Sequence, residues 1–155
     1  MRTTTRKSYS LGCAGLAEGT NANTFKTSNI LHFNIGGRAY VKAATDNIAF
    51  AAETALTAAF VAQAALKVCI YHFFIDSAGA ITVVQGTQYP ATTEQSYQAR
   101  AIDIPFVDGK ACIGALKIQT NNAATFTPAS TDLGATDVVD TFYNFADDLG
   151  TPVTI

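Results

Sequence analysis

Leu66-Lys67-Val68-Cys69-Ile70-Tyr71-His72-Phe73-Phe74-Ile75 is the stretch on which the fold turns. In a strand, successive side chains point to opposite faces, so Val68, Ile70, His72 and Phe74 form one row and Cys69, Tyr71, Phe73 and Ile75 the other. Both rows are dominated by the β-branched and aromatic residues that suit a pleated surface. A strand that is apolar on both faces belongs in the middle of a sheet with cover on each side. Asp76-Ser77-Ala78-Gly79 follows as a turn, and Ile81-Thr82-Val83-Val84-Gln85 returns as the second limb of a hairpin.

Upstream, Leu31, Phe33 and Ile35 alternate with Ile30, His32 and Asn34 as far as Gly36-Gly37, and Arg38-Ala39-Tyr40-Val41 comes after the glycine pair. Two β runs around such a pair predict another hairpin. Downstream, Val107-Asp108-Gly109-Lys110 predicts a turn, Ile113 to Gln119 a further strand, and Val138 to Phe145 a last one. The alanine-rich Ala51 to Ala65 carries Leu56 and Phe60 at helical spacing, which predicts one short helix; Thr92 to Ala101, free of glycine and proline, predicts a second short helix or a loop. Strands in short hairpins with no alternating strand-helix unit give a mainly β class: a compact antiparallel β sandwich or barrel-like domain. Residues 1–29 contain Thr3-Thr4-Thr5, turn residues and no sustained period, so they are expected to form an extended N-terminal arm, with 30–155 a single β-rich domain.

Composition sets the energetic scale of that domain. Of 155 residues, 27 are Ala and 21 Thr, so much of the 48% hydrophobic content comes from side chains with little area to bury. A core thin in large side chains is expected to be supplemented by contacts between subunits. The net charge of −2 argues against nucleic-acid binding, which calls for a basic face. No apolar run is long enough to span a membrane as a helix. Cys13, Cys69 and Cys112 are an odd set without metal-ligand spacing and suit reduced thiols. Arg2, Arg6 and Lys7 precede Ser10-Leu11-Gly12-Cys13, but the apolar segment of a signal peptide does not follow them.

Candidate chemistry is sparse. The two histidines, His32 and His72, lie in strand-like company and suit packing better than base catalysis. Cys69 and His72, three apart on a strand, project to opposite faces and cannot share a metal. Asp137, Asp140, Asp147 and Asp148 could supply paired carboxylates for glycoside hydrolysis, yet near a terminus they suit a solvated acidic face. Gly36-Gly37 is not followed by the helix start of a phosphate cradle. No catalytic residue, metal or cofactor is therefore expected.

Charge is distributed unevenly. Residues 1–50 carry six cations against two acids, and residues 106–155 carry two lysines against six aspartates, so the two regions have net charges of +4 and −4. A basic arm docking on an acidic surface of a neighbour is one reading; two solvated ends is the other.

Gly19-Thr20-Asn21-Ala22-Asn23-Thr24-Phe25-Lys26-Thr27 with Lys42-Ala43-Ala44-Thr45-Asp46-Asn47-Ile48-Ala49 resembles the head decoration, cement or head-fibre structural proteins of tailed bacteriophages. The similarity runs on through Ala62-Gln63-Ala64-Ala65, Ile75-Asp76-Ser77-Ala78-Gly79, Val84-Gln85-Gly86-Thr87, Asp108-Gly109-Lys110-Ala111-Cys112-Ile113-Gly114, and Thr125-Phe126-Thr127-Pro128 with Thr131-Asp132-Leu133. It touches most of residues 16–145. Cys112 stands where the related pattern commonly has proline, and the first fifteen residues match nothing in it. The resemblance implies a non-enzymatic virion protein, made in the bacterial host cytoplasm. Such a protein binds the major capsid protein on the outer shell, associates with itself as a homotrimer, and engages neither nucleic acid nor membrane.

On this reading Arg2, Arg6, Lys7, Leu11 and Leu16 are the candidate capsid-attachment residues, and deletion of residues 1–15 is expected to leave a folded domain. Phe142, Tyr143 and Phe145, aromatics beside an acidic terminus, are the candidate subunit interface. The alternative is a fibre or adhesin module that binds a host-surface glycan through Tyr89, Tyr97 or Tyr143.

Overall fold

A computed structural model describes residues 7–93 and 104–145. The described residues form eleven strands: β1 (Tyr9–Ser10), β2 (Leu16–Glu18), β3 (Thr24–Thr27), β4 (Leu31–Ile35), β5 (Arg38–Lys42), β6 (Thr45–Ala49), β7 (Lys67–Ile75), β8 (Ile81–Gln85), β9 (Tyr89–Pro90), β10 (Ala111–Thr120) and β11 (Val138–Asn144). They make three sheets, ordered β1-β4-β5, β2-β3-β6 and β11-β10-β7-β8, with β9 also on β7. Every pair of strands is antiparallel. The mainly β, sandwich-like class read from the sequence is the class observed, and among the described residues no sheet closes into a barrel.

β7 sits where its two apolar rows require. It pairs with β10 on one edge and with β8 and β9 on the other. Its row Cys69, Tyr71, Phe73 and Ile75 faces the main core, which it shares with Leu16, Phe25, Leu31, Phe33, Leu116 and Ile118. Phe25 lies 4.7 Å from Phe73 between ring centroids, so the β2-β3-β6 sheet is anchored on β7 by an aromatic pair. The opposite row supplies two smaller clusters: Val68 and Ile70 with Ala115, and Phe74 with Val84 and Val107.

The β4-β5 hairpin follows its sequence signal. Ile35 pairs with Arg38 around Gly36 and Gly37, whose φ angles of 58° and 91° are those that a two-residue primed turn demands. On the core side Phe33 stacks on Tyr40 at 5.5 Å.

Two expectations are corrected. Residues 9–29 are not an arm separate from the domain: β1 completes one sheet, β2 and β3 build another, and Ala14, Leu16 and Phe25 are at 0%, 4% and 0% exposure in the core. Widely spaced apolar residues were buried by their own chain, not by a neighbour. Ala51 to Ala65 forms one turn, with the Thr57 amide bonded to the Glu53 carbonyl at 2.7 Å, and then extends. Its backbone prefers bonds offered from outside. Gln63 exchanges amide and carbonyl bonds with Phe126, while the side-chain amides of Gln85 and Gln88 grip Val61, Ala62 and Ala64. Of the second predicted helix only a 3-10 turn at Ala91–Thr93 falls within the described residues.

Candidate functional site

The predicted attachment residues divide. Arg2 and Arg6 lie outside the described residues. Lys7 is exposed, and Leu11 is 37% exposed with its amide bonded to the His32 carbonyl at 2.8 Å. Leu16, at 4% exposure, is a core residue whose amide is bonded to Asn144 Oδ1 at 2.6 Å, so it cannot reach a partner.

Lys7 and Leu11 adjoin a surface that the sequence reading did not single out. In the β1-β4-β5 sheet, Ser10, Leu31, Phe33 and Tyr40 turn toward the core, so Tyr9, His32, Asn34, Ala39 and Val41 turn outward. His32 pairs directly with Val41, which is 63% exposed, and Ile30 at the strand entrance is 62% exposed. Antiparallel sheets that face water usually carry polar residues on that side. This one carries Leu11, Ile30 and Val41 around an exposed imidazole. The signal was present in the alternation of residues 30–35, where the row opposite Leu31 and Phe33 begins with an isoleucine.

The predicted subunit-contact residues lie on or beside β11 with unequal exposure. Phe142 is half-buried, its ring stacked on Phe73 at 6.4 Å. Phe145 packs against Val68, Ile70 and Ala115. Tyr143 is 36% exposed. Two of the three thus contribute to packing within their own chain.

The remaining candidates are structural in geometry. His72 is buried in β7, opposite Ala115 on one side and Val84 on the other. Burial pushes the Cys69 and Cys112 thiols up to about 12, far from a reactive thiolate. Asp137 accepts a bond from Asn122 Nδ2 at 2.8 Å and holds a left-handed φ of 64° at the entrance to β11. Asp140 is half-buried on β11, and Asp147, Asp148 and Tyr97 lie outside the described residues. Tyr89 is half-buried against Val68 and Ile70. Among the described residues no three His, Cys, Asp or Glu side chains are grouped to hold a metal.

Two polar clusters tie the loops to the sheets. Glu53, 6% exposed, takes bonds from Thr82 Oγ1 at 2.6 Å and from Lys110 Nζ, which also reaches Thr82 Oγ1 at 2.8 Å. Burial pushes the Glu53 carboxyl up, but the bonds from Lys110, Thr82 and the Ala55 amide, with the Lys110 charge, outweigh it and leave the pKa below its ordinary value. Gln63, fully buried, donates to the carbonyls of Lys67 and Ile118 at 3.0 Å and accepts from the Tyr71 hydroxyl at 3.2 Å.

Neither the models of known protein families, nor curated proteins, nor solved structures give a match to this chain.

Proposed function

We propose that this chain is a non-enzymatic structural protein of a phage virion that binds the outer capsid surface, through the major capsid protein, and stabilises or decorates the head as a homo-oligomer. The observation that carries the attachment reading is the outward face of the β1-β4-β5 sheet, where Leu11, Ile30 and Val41 are bare around His32, with Lys7 exposed at the Gly36 end of the same sheet. Contiguous apolar residues on a sheet face mark contact surfaces. The sequence resemblance to head decoration proteins supplies the partner. Each contact would be small, and many copies on one shell would add through multivalency.

Co-sedimentation of the purified protein with empty expanded heads tests this. Saturable binding is expected, weakened at least tenfold by Leu11→Asp or Val41→Asp, since a tenfold loss corresponds to about 1.4 kcal/mol. Heads left unbound by the folded protein would overturn the reading, and a glycan array would then test Tyr143 as a sugar-stacking residue.

A further inference from the structure

Residues 54–66, Thr-Ala-Leu-Thr-Ala-Ala-Phe-Val-Ala-Gln-Ala-Ala-Leu, contain no charged side chain and no histidine. Thr57 and Gln63 point inward and are buried, and Phe60 packs against the core. What remains outside is almost wholly apolar: Leu56 at 51% exposure, Val61 at 65% and Leu66 at 59%, with Ala55, Ala58, Ala59, Ala62 and Ala64 exposed between them. Monomeric proteins seldom leave a contiguous apolar patch larger than about 300–600 Å² uncovered.

The segment is already in one conformation. Gln85 Oε1 accepts the Val61 amide at 2.8 Å and Gln85 Nε2 donates to the Val61 carbonyl at 2.7 Å, so one side chain imitates a strand partner. Gln88 does the same for Ala64 and Ala62, each bond 3.0 Å. A surface fixed in advance loses little freedom on association. Leu66 adds a second indication. It holds a left-handed φ of 57°, a conformation that costs a branched residue about 1 kcal/mol or more, while its side chain stands in solvent. Earlier in the same segment, a cleft of about 460 Å³ is lined by Leu56, Ala58, Ala59 and Val61 and backed by Gln85 and Gln88.

We infer that this face is a two-fold interface between copies of this chain. The occupant follows from charge. A protein surface of ordinary composition would bring charges onto a face that offers them no partner, at the cost of desolvation. A second copy brings the same neutral surface and strands none. Projection and cleft lie on one segment, so a two-fold contact between copies needs no second complementary patch. The inference rests on the oligomeric part of the proposed function and offers a contact surface separate from Phe142, Tyr143 and Phe145.

The test is sedimentation velocity of the full chain without heads. A dimer is expected at micromolar concentration. Val61→Asp and Leu66→Asp are expected to be folded monomers, with dissociation raised at least a hundredfold, and Leu66→Gly to weaken the dimer while keeping the face neutral. In a Cys13→Ser background, oxidised Ala62→Cys is expected to cross-link in pairs. A dimer unchanged in both aspartate variants would refute this surface and leave the oligomeric proposal standing. A trimer lost in them would refute the two-fold arrangement. A monomeric wild type that still binds heads would refute self-association and leave head binding intact.

Discussion

Glu53 shows how one side chain holds three segments. Replacing it with glutamine keeps the size but leaves Lys110, whose side chain is only 18% exposed, without its counter-charge. The expected loss is about 1–3 kcal/mol at pH 7, read from urea unfolding. The pH dependence has a definite sign. Because the folded-state pKa of Glu53 is lowered, its contribution is full above the unfolded-state value and disappears as pH falls through the folded one. The two proteins should therefore begin to converge in stability as pH falls below the ordinary glutamate value of about 4.3, and meet only once pH has passed through the lower folded-state one, where the wild-type carboxyl also becomes neutral. A difference that persists there would show that shape, not charge, made the gap. Gly36 presents the opposite case. An added Cβ meets nothing within 4 Å, so Gly36→Ala tests backbone conformation alone, at φ 58°, and should cost about 1 kcal/mol with the hairpin register kept.

Elements were legible where one local rule decided them. The alternation in β7, the primed turn between β4 and β5, and the turn before β10 are local, and these strands fall within two residues of their expected bounds. β2, β3 and β6 were not legible, because short strands carrying Thr, Lys, Asp and Asn become strands only through the partners they meet. The missing helix has the same origin. Residues 51–65 have helical spacing, but the amides that capture their backbone come from Gln85 and Gln88, more than twenty residues away. The proposed attachment face was half legible, since Lys7 and Leu11 were singled out for that role and Ile30, His32 and Val41 were not. Exposure on a sheet face depends on which neighbouring layer is absent, and no local pattern states that. At this scale Gln63→Leu should cost about 1–3 kcal/mol, because it removes the bonds that Gln63 Nε2 gives to the Lys67 and Ile118 carbonyls and the acceptor it offers to the Tyr71 hydroxyl, although Thr120 Oγ1 still reaches Lys67 and Gln85 Nε2 still reaches Tyr71. Gly114→Ala should cost about 1–3 kcal/mol. Its Cβ would press on the Tyr143 carbonyl and Leu16 Cδ1, where β10, β11 and β2 converge.

For the whole molecule, the decisive question is which part of the N-terminal region can be removed. Read as an arm, residues 1–15 could be deleted without harm to the domain. In the structure that deletion removes β1, strips Ser10 from its place opposite Phe33, and takes away Ala14, whose carbonyl accepts the Asn29 amide at 3.2 Å. It also removes Gly15, whose carbonyl accepts the Ser28 amide at 3.0 Å, so the entry to β2 loses its clasp. Losing a strand, a core alanine and the backbone bonds they make takes a large share of the roughly 5–15 kcal/mol by which domains are stable. The 1–15 deletion is therefore expected to melt at least 10 °C below the full chain, or to fail to fold, whereas deletion of residues 1–6 should melt within a few degrees of it. The short deletion also isolates function from folding. It removes Arg2 and Arg6 and leaves the outward row from Lys7 to Val41 in place, so head binding that survives it assigns attachment to the sheet face. Binding lost at unchanged melting temperature assigns it to the two arginines. A 1–15 deletion that melted like the full chain would mean that β1 adds nothing to the fold, against the burial of Ser10 and Ala14.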